Sequence, residues 1–457
     1  MSRLFLSVLG RGIPVKDQPR YEYAECVYRS AAGESLPSTR YIQEASVRLF
    51  CHGWRAAQGD RVRILCTEQS FGYQWGGEGH LSECLNRLKS EPGYADLDFS
   101  GSAVKMPEGR SKEEIWQIFN VLFSCVNEGD EIWLDVTHGF RSIPMLVLTA
   151  VPYLRLLKKA EVKSITYGAY EAKGSDGTVP IFDLTDFVGL MDWTNAAGNF
   201  VRYGIFDDCK KLMEEANRPI MKATAGKDAE GVSCRDVSKA VDNFTQALIQ
   251  NHLEDVIVPG VPSKVFENIA QLENAELRIA PLGPLMQQIS SKLKPFEKNS
   301  YGNVFTAVRW CIDHKLLQNG FSILFEGCIS IAVRKLVQDG LVPADLEKEE
   351  ATRGIPVRVS LEWAKEKESE QCPELEQRYR NSMFNGYQEY AKKFEELNKA
   401  RNQYMHCGTS LKEPVAKIDL TKQLTRQNCV DGLAAKLAEC NQVLEKWYKE
   451  LNIEKDN

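Results

Sequence analysis

Short apolar runs alternate with amphipathic segments through the first part of the chain. The runs Leu4–Leu9, Arg61–Cys66, Ile132–Leu134 and Val162–Tyr167 have the length of buried strands. Each is followed by a turn of polar residues or glycine and then by a segment that can form a helix. Strands that alternate with helices in this way predict a doubly wound α/β domain with a parallel sheet.

The four predicted strands end at Gly10, Thr67, Thr137 and Gly168. In a parallel sheet the carboxyl ends of neighbouring strands meet at one edge, and ligands bind there. We therefore expect residues from these four turns to be neighbours. The pattern also predicts four helices: Tyr41–Phe50, Leu81–Leu88, one after the capping box that begins at Ser111, and Pro144–Lys158. It predicts a loop over Gly72–Gly79 and a closing strand or link at Ile181–Leu184.

After about Thr185 few further strands are visible, and helical periodicity dominates. The second half is therefore predicted to be all-helical. The specific expectations are an exposed loop at Lys222–Asp236, two helices within Phe305–Val337 separated at Asn319-Gly320, an exposed charged segment at Asp345–Arg353, and two last long helices at Tyr387–Cys407 and Asp431–Leu451.

Composition narrows the class of protein. The 457 residues are enough for two or three domains, and 43% hydrophobic with 26% charged residues is ordinary for a globular protein. The apolar run Leu4–Leu9 is too short for a membrane span and has no signal-peptide pattern, so no membrane is expected. The 13 cysteines form no CxxC pair, and no HExxH is present. These features predict a cytoplasmic protein without a metal site or other cofactor.

The stretch Glu131–Pro144, EIWLDVTHGFRSIP, carries the first candidate chemistry. Hydroxyls of Thr137 and Ser142, the guanidinium of Arg141 and the free N–H groups of a helix start suit an anionic ligand. The alternative is that the hydroxyls only cap a helix and His138 packs in a turn. Residue types alone leave the two interpretations even.

Asp135-Val136-Thr137-His138-Gly139, followed by Phe140-Arg141-Ser142, resembles the signature of the CRISPR-associated proteins named for their DxTHG motif. That family also has a Leu-Gly turn after its first strand and Tyr-Gly-Ala after its last, as this chain has at Leu9-Gly10 and Tyr167-Gly168-Ala169. The resemblance implies a Rossmann-like CARF domain at about residues 1–188 that binds cyclic oligoadenylate, the tetramer in the first place. The implied ligand-binding residues are Gly10, Arg11, Gly12, Thr137, His138, Gly139, Phe140, Arg141 and Ser142.

A second constellation lies near the end of the chain. Tyr390, Phe394, Leu397, Arg401 and Tyr404 are spaced as one face of a helix. An arginine on that apolar stripe must reach an interface, a partner charge or a cleft. His406 is the fifth residue after Arg401, so on a regular helix the histidine points about 140° away from the arginine. Two routes bring them to one phosphate: Gly408 can end the helix near His406, or a two-fold dimer can pair two copies of the helix.

Arg401-Asn402-Gln403-Tyr404-Met405-His406 resembles the Arg-x4-His motif of HEPN ribonucleases, with a polar residue directly after the arginine. Without other support, a surface arginine and a helix-capping histidine would be the favoured interpretation. Glu326 is a possible partner for Arg401, although such a residue is more often solvated. A CARF domain followed by HEPN is the layout of CRISPR-associated effector ribonucleases. The resemblance implies that Arg401 stabilises the phosphate charge, His406 transfers a proton and Asn402 orients one of them.

The sequence thus predicts a CARF domain followed by a helical region, 189–457, with a HEPN core at about 300–457. The expected function is cyclic-oligoadenylate-activated, metal-independent cleavage of single-stranded RNA in type III CRISPR defence. Its products would carry 2′,3′-cyclic phosphates, and the chain would form a homodimer or higher even oligomer. The alternatives are a sensor that signals to a partner without cleaving RNA, and a CARF domain that degrades its own ligand. Met191–Ser300 matches neither motif.

Overall fold

A computed structural model describes residues 2–16, 21–77, 80–139, 142–257, 261–273, 282–298, 300–364, 376, 378–379, 387–405, 426–451 and 453. The chain divides into two compact units, Met1–Asp192 and Trp193–Asn457. Within the described residues the first unit is α/β and the second is helical. The predicted fold class, an α/β region followed by a helix-rich region, is confirmed.

The α/β unit is built on a seven-stranded sheet with the order β4-β9-β8-β7-β1-β5-β6. Among the described strand pairs of this sheet, only β8–β9 is antiparallel, so the sheet is mixed. The strands are β1 (Arg3–Leu9), β4 (Val27–Arg29), β5 (Arg61–Cys66), β6 (Ala103–Lys105), β7 (Glu131–Asp135), β8 (Glu161–Gly168) and β9 (Thr178–Asp183), and a separate antiparallel hairpin joins β2 (Ile13–Pro14) to β3 (Tyr21–Glu22).

Helices cover both faces of this sheet, and the central strand β1 is accordingly buried on both faces from Leu4 to Leu9. Leu4, Leu6 and Val8 of β1 pack in one cluster with α4 and α5, whereas Phe5 and Leu9 pack in another with α1 and α3. The helices of the unit are α1 (Ile42–Phe50), α2 (Glu68–Gln74), α3 (Leu81–Leu88), α4 (Lys112–Cys125) and α5 (Ser142–Lys158), and α6 (Thr185–Tyr203) runs into the second unit.

One predicted loop of the α/β unit is wrong. Gly72–Gln74 of the segment Gly72–Gly79 belongs to helix α2, and residues 78–79 lie outside the described part. The helix begins where the hydroxyl of Thr67 accepts a hydrogen bond from the N–H of Ser70, at 3.2 Å. That N-cap and the buried Gln74 outweigh the low helix propensity of Gly72.

The second unit is a helical assembly around one large apolar cluster that includes Phe200, Phe244, Phe305 and Phe321. Its described helices are α7 (Asp207–Ala223), α8 (Ala229–Gln250), α9 (Glu254–Ile257), α10 (Val261–Glu273), α11 (Leu282–Leu293), α12 (Asn303–Asp313), α13 (Leu317–Gln338), α14 (Glu350–Ala364), α15 (Tyr387–Met405) and α16 (Arg426–Glu450).

Two sequence predictions in this unit are wrong. Most of Lys222–Asp236 is helical, because Asp228 caps α8 by accepting from the N–H of Gly231 at 2.8 Å. Asn319-Gly320 lies inside α13, and the break comes earlier, at Lys315 with φ +61°. A Cβ at Gly320 would come within 2.6 Å of a Leu437 side-chain atom, so this glycine permits close helix packing.

The charged segment Asp345–Arg353 is exposed over most of its length, as predicted. Its last residue, Arg353, belongs to α14 and is partly buried.

None of the helices in the described part of the chain is long and apolar enough to cross a membrane. Over the same residues, no group of three or more histidine, cysteine and acidic side chains is arranged to hold a metal ion.

Candidate functional site

A cavity of about 350 Å³ opens at the carboxyl edge of the sheet in the α/β unit. Gly10, Thr67, Thr137 and Gly168 all line it, which confirms that the four predicted turns are neighbours. The cause is the strand order, because β8, β7, β1 and β5 are consecutive and parallel. The edge predicted to bind a ligand is therefore a concave surface.

The aspartate and threonine of the motif tie three strands together. Buried Asp135 accepts hydrogen bonds from the hydroxyl of Ser7 on β1, at 2.6 Å, and from the N–H and hydroxyl of Thr137. The Thr137 oxygen in turn accepts from the N–H of Gly168 on β8, at 2.8 Å. Burial raises the pKa of Asp135, against these hydrogen bonds. Both motif side chains thus shape the cavity floor from within the protein.

His138 is the motif side chain that stays unsatisfied. Its buried Nε2 has no hydrogen-bond partner among the described residues. Burial lowers the pKa of His138 to about 4, so the ring is neutral near pH 7. The ring lies 4.7 Å, centroid to centroid, from that of Tyr23. A Cβ at Gly10 would approach Tyr23 Oη to 2.6 Å, so glycine there leaves room for this ring pair.

Helix α5 starts directly after the motif. Gly139 has φ +114°, a conformation that favours glycine, and a Cβ there would meet Val8 and Ile143 at 3.2 and 3.3 Å. Ser142 is the first residue of α5. The side chain of Ser142, and Phe140 and Arg141 entirely, lie outside the described part, so their predicted role in ligand binding stays a prediction.

Arg11 and Gly12 enter the cavity wall through a turn that Gln74 fixes. The Gln74 amide donates to the carbonyl of Arg11 at 2.8 Å and to that of Tyr21 at 2.7 Å, and its oxygen accepts from Tyr41 at 3.1 Å. The guanidinium carbon of Arg11 lies 5.0 Å from the centre of the Tyr21 ring. The predicted arginine therefore belongs to an anchored segment that lines the cavity.

Several lining residues were absent from the sequence prediction: Tyr23, Arg40, Glu108 and Tyr170. They lie in irregular segments before or after strands, where neither periodicity nor a motif marks them. The one signal that could have identified Glu108 is its position shortly after strand β6. That strand has only three residues and was not predicted, so the signal was missed.

The helical unit places Arg401 against two side chains of α13. Its Nη2 lies 3.7 Å from Glu326 Oε1, and its guanidinium carbon lies 4.6 Å from the centre of the Phe325 ring. Asn402 is exposed, and its amide is 3.4 Å from the oxygen of Asn398 on the same helix. His406 lies outside the described residues, so its distance from Arg401 stays undetermined.

Glu326 also serves a second arginine. Arg353 on α14 donates to Glu326 Oε2 at 3.1 Å and to the hydroxyl of Ser330 at 3.2 Å. All three residues line a cavity of about 540 Å³ in the helical unit. Arg401 and Arg353 therefore share the carboxylate of Glu326, which lines this cavity.

The mixed sheet, its two helical layers and the cavity at its carboxyl edge define a Rossmann-like unit, which is followed by a helical region. Residues 89–171 match the sequence model of the family described as "CRISPR system endoribonuclease Csx1, CARF domain". The match contains the DxTHG motif, β7 and β8. The resemblance of the α/β unit to the CARF domains of CRISPR-associated proteins is confirmed.

The chain is also similar to a CRISPR-associated protein, MJ1674 of Methanocaldococcus jannaschii, with 25% identity over 256 residues. The aligned part is 55% of this chain and 37% of that protein, so it spans little more than a third of the relative. A superposition on Enterococcus italicus Csm6 bound to cyclic hexa-2′-fluoro-hexa-dAMP covers 98% of this chain and 95% of that one, with 10% identity and a TM-score of 0.40.

Proposed function

We propose that this chain is a cyclic-oligoadenylate-activated endoribonuclease of type III CRISPR defence, with a CARF sensor over about residues 1–188 and a HEPN ribonuclease core within about 300–457. The observation that carries the proposal is the DxTHG motif at the floor of a cavity, inside a segment that matches the CARF domain of an endoribonuclease family. The Arg-x4-His motif in the helical unit supplies the second half of the argument.

The cavity chemistry supports a nucleotide ligand. Arg11 and Arg40 line it, and the N-terminus of α5 follows the motif at its floor. Guanidinium groups and helix N-termini both favour phosphate. Neutral His138 adds a ring that can donate or accept a hydrogen bond without a charge of its own. Together these groups suit a ligand with several phosphates and bases.

The size of the cavity supports a dimer. About 350 Å³ is near the lower end for a small-molecule site, whereas a ring of four adenylates is much larger than one nucleotide. Two cavities related by a two-fold axis would match a ring with even symmetry.

Helices of the α/β unit also expose an apolar surface. On α5 the exposed fractions are 67% for Met145, 46% for Tyr153 and 77% for Leu156. On α6 they are 61% for Phe187 and 50% for Leu190. Large exposed apolar side chains on one helix face can mark an interaction site. We assign the exposed apolar residues of α5 to the homodimer contact, with a higher even oligomer as the other option.

Arg401 has the environment that a phosphate-binding arginine needs. It is held by Glu326 and Phe325, yet keeps 27% of its side chain exposed and a buried Nε without a partner among the described residues. RNA carries its own nucleophile, the 2′-hydroxyl, so cleavage requires proton transfer and stabilisation of the phosphorane charge. Arg401 would supply the charge, His406 the proton transfer and Asn402 the orientation of one of them. The products would be 2′,3′-cyclic phosphates, formed without a metal.

Ligand binding would control cleavage through the dimer. A ligand can shift the helical units only by its differential affinity for two arrangements of the chains. The experiment is cleavage of single-stranded RNA with and without cyclic tetra-adenylate or cyclic hexa-adenylate, each with and without EDTA. Ligand-dependent cleavage that persists in EDTA is the expected result. Binding of a ring without cleavage would establish the sensor that signals to a partner, and shortening of the ring itself would establish ligand degradation.

A further inference from the structure

One carboxylate oxygen in the wall of the α/β cavity has no hydrogen-bond partner among the described residues. It is the buried Oε1 of Glu108. A buried acceptor without a donor is unfavourable, so a bound molecule that supplies the donor gains affinity. The rest of the lining, with Arg11 and Arg40, attracts anions, which makes an acidic group there conspicuous.

The backbone around Glu108 is fixed. Two residues earlier, the N–H of Met106 extends the sheet ladder by donating to the carbonyl of Cys66 at 2.8 Å. The next residue, Gly109, has φ +79°, and a Cβ there would lie 3.1 Å from Ile118 on α4. The N–H of Arg110 donates to the carboxylate of Glu114 at 2.8 Å, so Glu108 lies in a short segment whose backbone is anchored on both sides.

The position of Glu108 separates it from the motif. It follows β6 at the edge of the sheet, whereas Thr137 and His138 follow β7. In the order β7-β1-β5-β6 these strands are three steps apart, roughly 14 Å at the usual strand spacing. Phosphate is repelled by a carboxylate, so the part of a nucleotide that reaches Glu108 is the part that lies away from its phosphate.

We propose that Glu108 accepts a hydrogen bond from the exocyclic amine of an adenine base, and that this contact makes the cavity selective for adenylate. The inference rests on the proposed function and adds a base-reading residue to it. The amine is a neutral donor at the end of the base remote from the phosphate. Met106, buried and apolar, lines the same cavity beside Glu108 and offers a surface for the flat face of the base.

The test compares ligands that differ by one donor. Calorimetric titration would use cyclic tetra-adenylate, the same ring built from purine riboside, which lacks the amine, and the 2′-fluoro form of the adenylate ring, which lacks the ribose donor. Wild-type protein should bind the purine ring about tenfold more weakly than the adenylate ring, as loss of one hydrogen bond to a charged acceptor implies. The 2′-fluoro ring should bind within about threefold of the adenylate ring.

Variants then assign the discrimination to this side chain. Glu108→Ala should bind the adenylate and purine rings equally, and Glu108→Gln, which keeps a neutral acceptor, should retain part of the preference. Glu68→Ala is the matched control, since Glu68 follows the neighbouring strand β5, pairs with Lys105 at 3.0 Å and does not line the cavity. It should discriminate as wild type does.

Two results would overturn the assignment. An unchanged preference for the adenylate ring in Glu108→Ala would show that another group reads the base. Weaker binding of the 2′-fluoro ring, together with undiminished binding of the purine ring, would show that the donor is the ribose hydroxyl and not the amine. Wild-type protein that binds none of the three rings would instead remove the proposed sensor function, and with it this inference.

Discussion

Glu326 Oε1 lies 3.7 Å from Arg401 Nη2, so a carboxylate of α13 holds the arginine of the Arg-x4-His motif. Its other oxygen accepts from Arg353 at 3.1 Å. An acidic group beside a phosphate-binding arginine fixes its direction but also offsets its charge. Since both side chains are partly exposed, the ion pair is weak enough to yield when a phosphate arrives.

The first prediction concerns the proposed catalytic pair. Arg401→Ala or His406→Ala should lower RNA cleavage by about a hundredfold or more, because each removes a group that acts on the phosphate in the transition state. Ligand binding and dimer formation should be unchanged. Lys399→Ala is a control on the same helix, because Lys399 is well exposed and pairs with Glu395 at 3.1 Å. Normal cleavage by either motif variant would remove the HEPN assignment.

Glu326 should act as a positioning residue. Glu326→Gln leaves its shape but removes the charge that orients Arg401, so kcat should fall about tenfold while KM changes little. Arg353 shares the Glu326 carboxylate with Arg401 but carries no proposed role in cleavage. The variant Arg353→Gln should therefore alter kcat by less than about threefold. Steady-state cleavage of a short RNA measures both. A larger loss in Arg353→Gln than in Glu326→Gln would make Arg353 the more important cation.

A composite site can be tested by mixing chains. If one competent site takes its arginine and histidine from two copies, heterodimers of Arg401→Ala and His406→Ala chains can recover part of the activity. Tandem affinity tags would isolate the heterodimer, and cleavage would be compared with both parents. Heterodimers as inactive as either parent would contradict a site built from one arginine and one histidine of opposite chains.

The main architecture could be predicted from the sequence. Strands buried on both faces leave short apolar runs in the chain, and helices buried on one face leave an amphipathic pattern. The strand ends at Gly10, Thr67, Thr137 and Gly168 could be placed together because parallel strands share an edge. Short elements such as β4 and β6 were missed, since three residues show no periodicity. The expected loops at Gly72 and Asp228 are helical instead because capping and packing exceed local propensity.

The candidate site was predictable only where a motif marked it. Thr137 and His138 were singled out, but the pairing of Thr137 with Gly168 depends on a contact across strands. Tyr23, Arg40 and Glu108 come from segments that meet only in the folded sheet. Glu326 lies two helices before Arg401 in the described chain, and the sequence identified it only as a possible partner of that arginine.

Thr137 should matter for structure as well as for binding. Thr137→Ala leaves the N–H of Gly168 without its acceptor and removes one donor from buried Asp135, which should lower the free energy of unfolding by about 1–3 kcal/mol. Thr137→Ser keeps the hydroxyl and should stay within about 1 kcal/mol of wild type. Urea unfolding measures the stability of both variants.

The double variant Thr137→Ala with His138→Ala should lose binding of the cyclic oligoadenylate and the cleavage that depends on it, and any basal cleavage should survive.

The last prediction concerns the charge of His138. Burial lowers its pKa from the ordinary 6.5 to about 4 in the folded protein, so between these values the unfolded chain binds a proton that the folded chain does not. The stability from the neutral ring is therefore complete above pH 6.5 and is lost as the pH falls towards 4. Relative to His138→Gln, wild type should lose about 2 kcal/mol of unfolding free energy between pH 7 and pH 5. Asp135, whose pKa burial raises, titrates in both proteins, so its effect cancels. A pH-independent difference between the two proteins would mean that the ring is solvated and that its Nε2 is not held buried for a ligand.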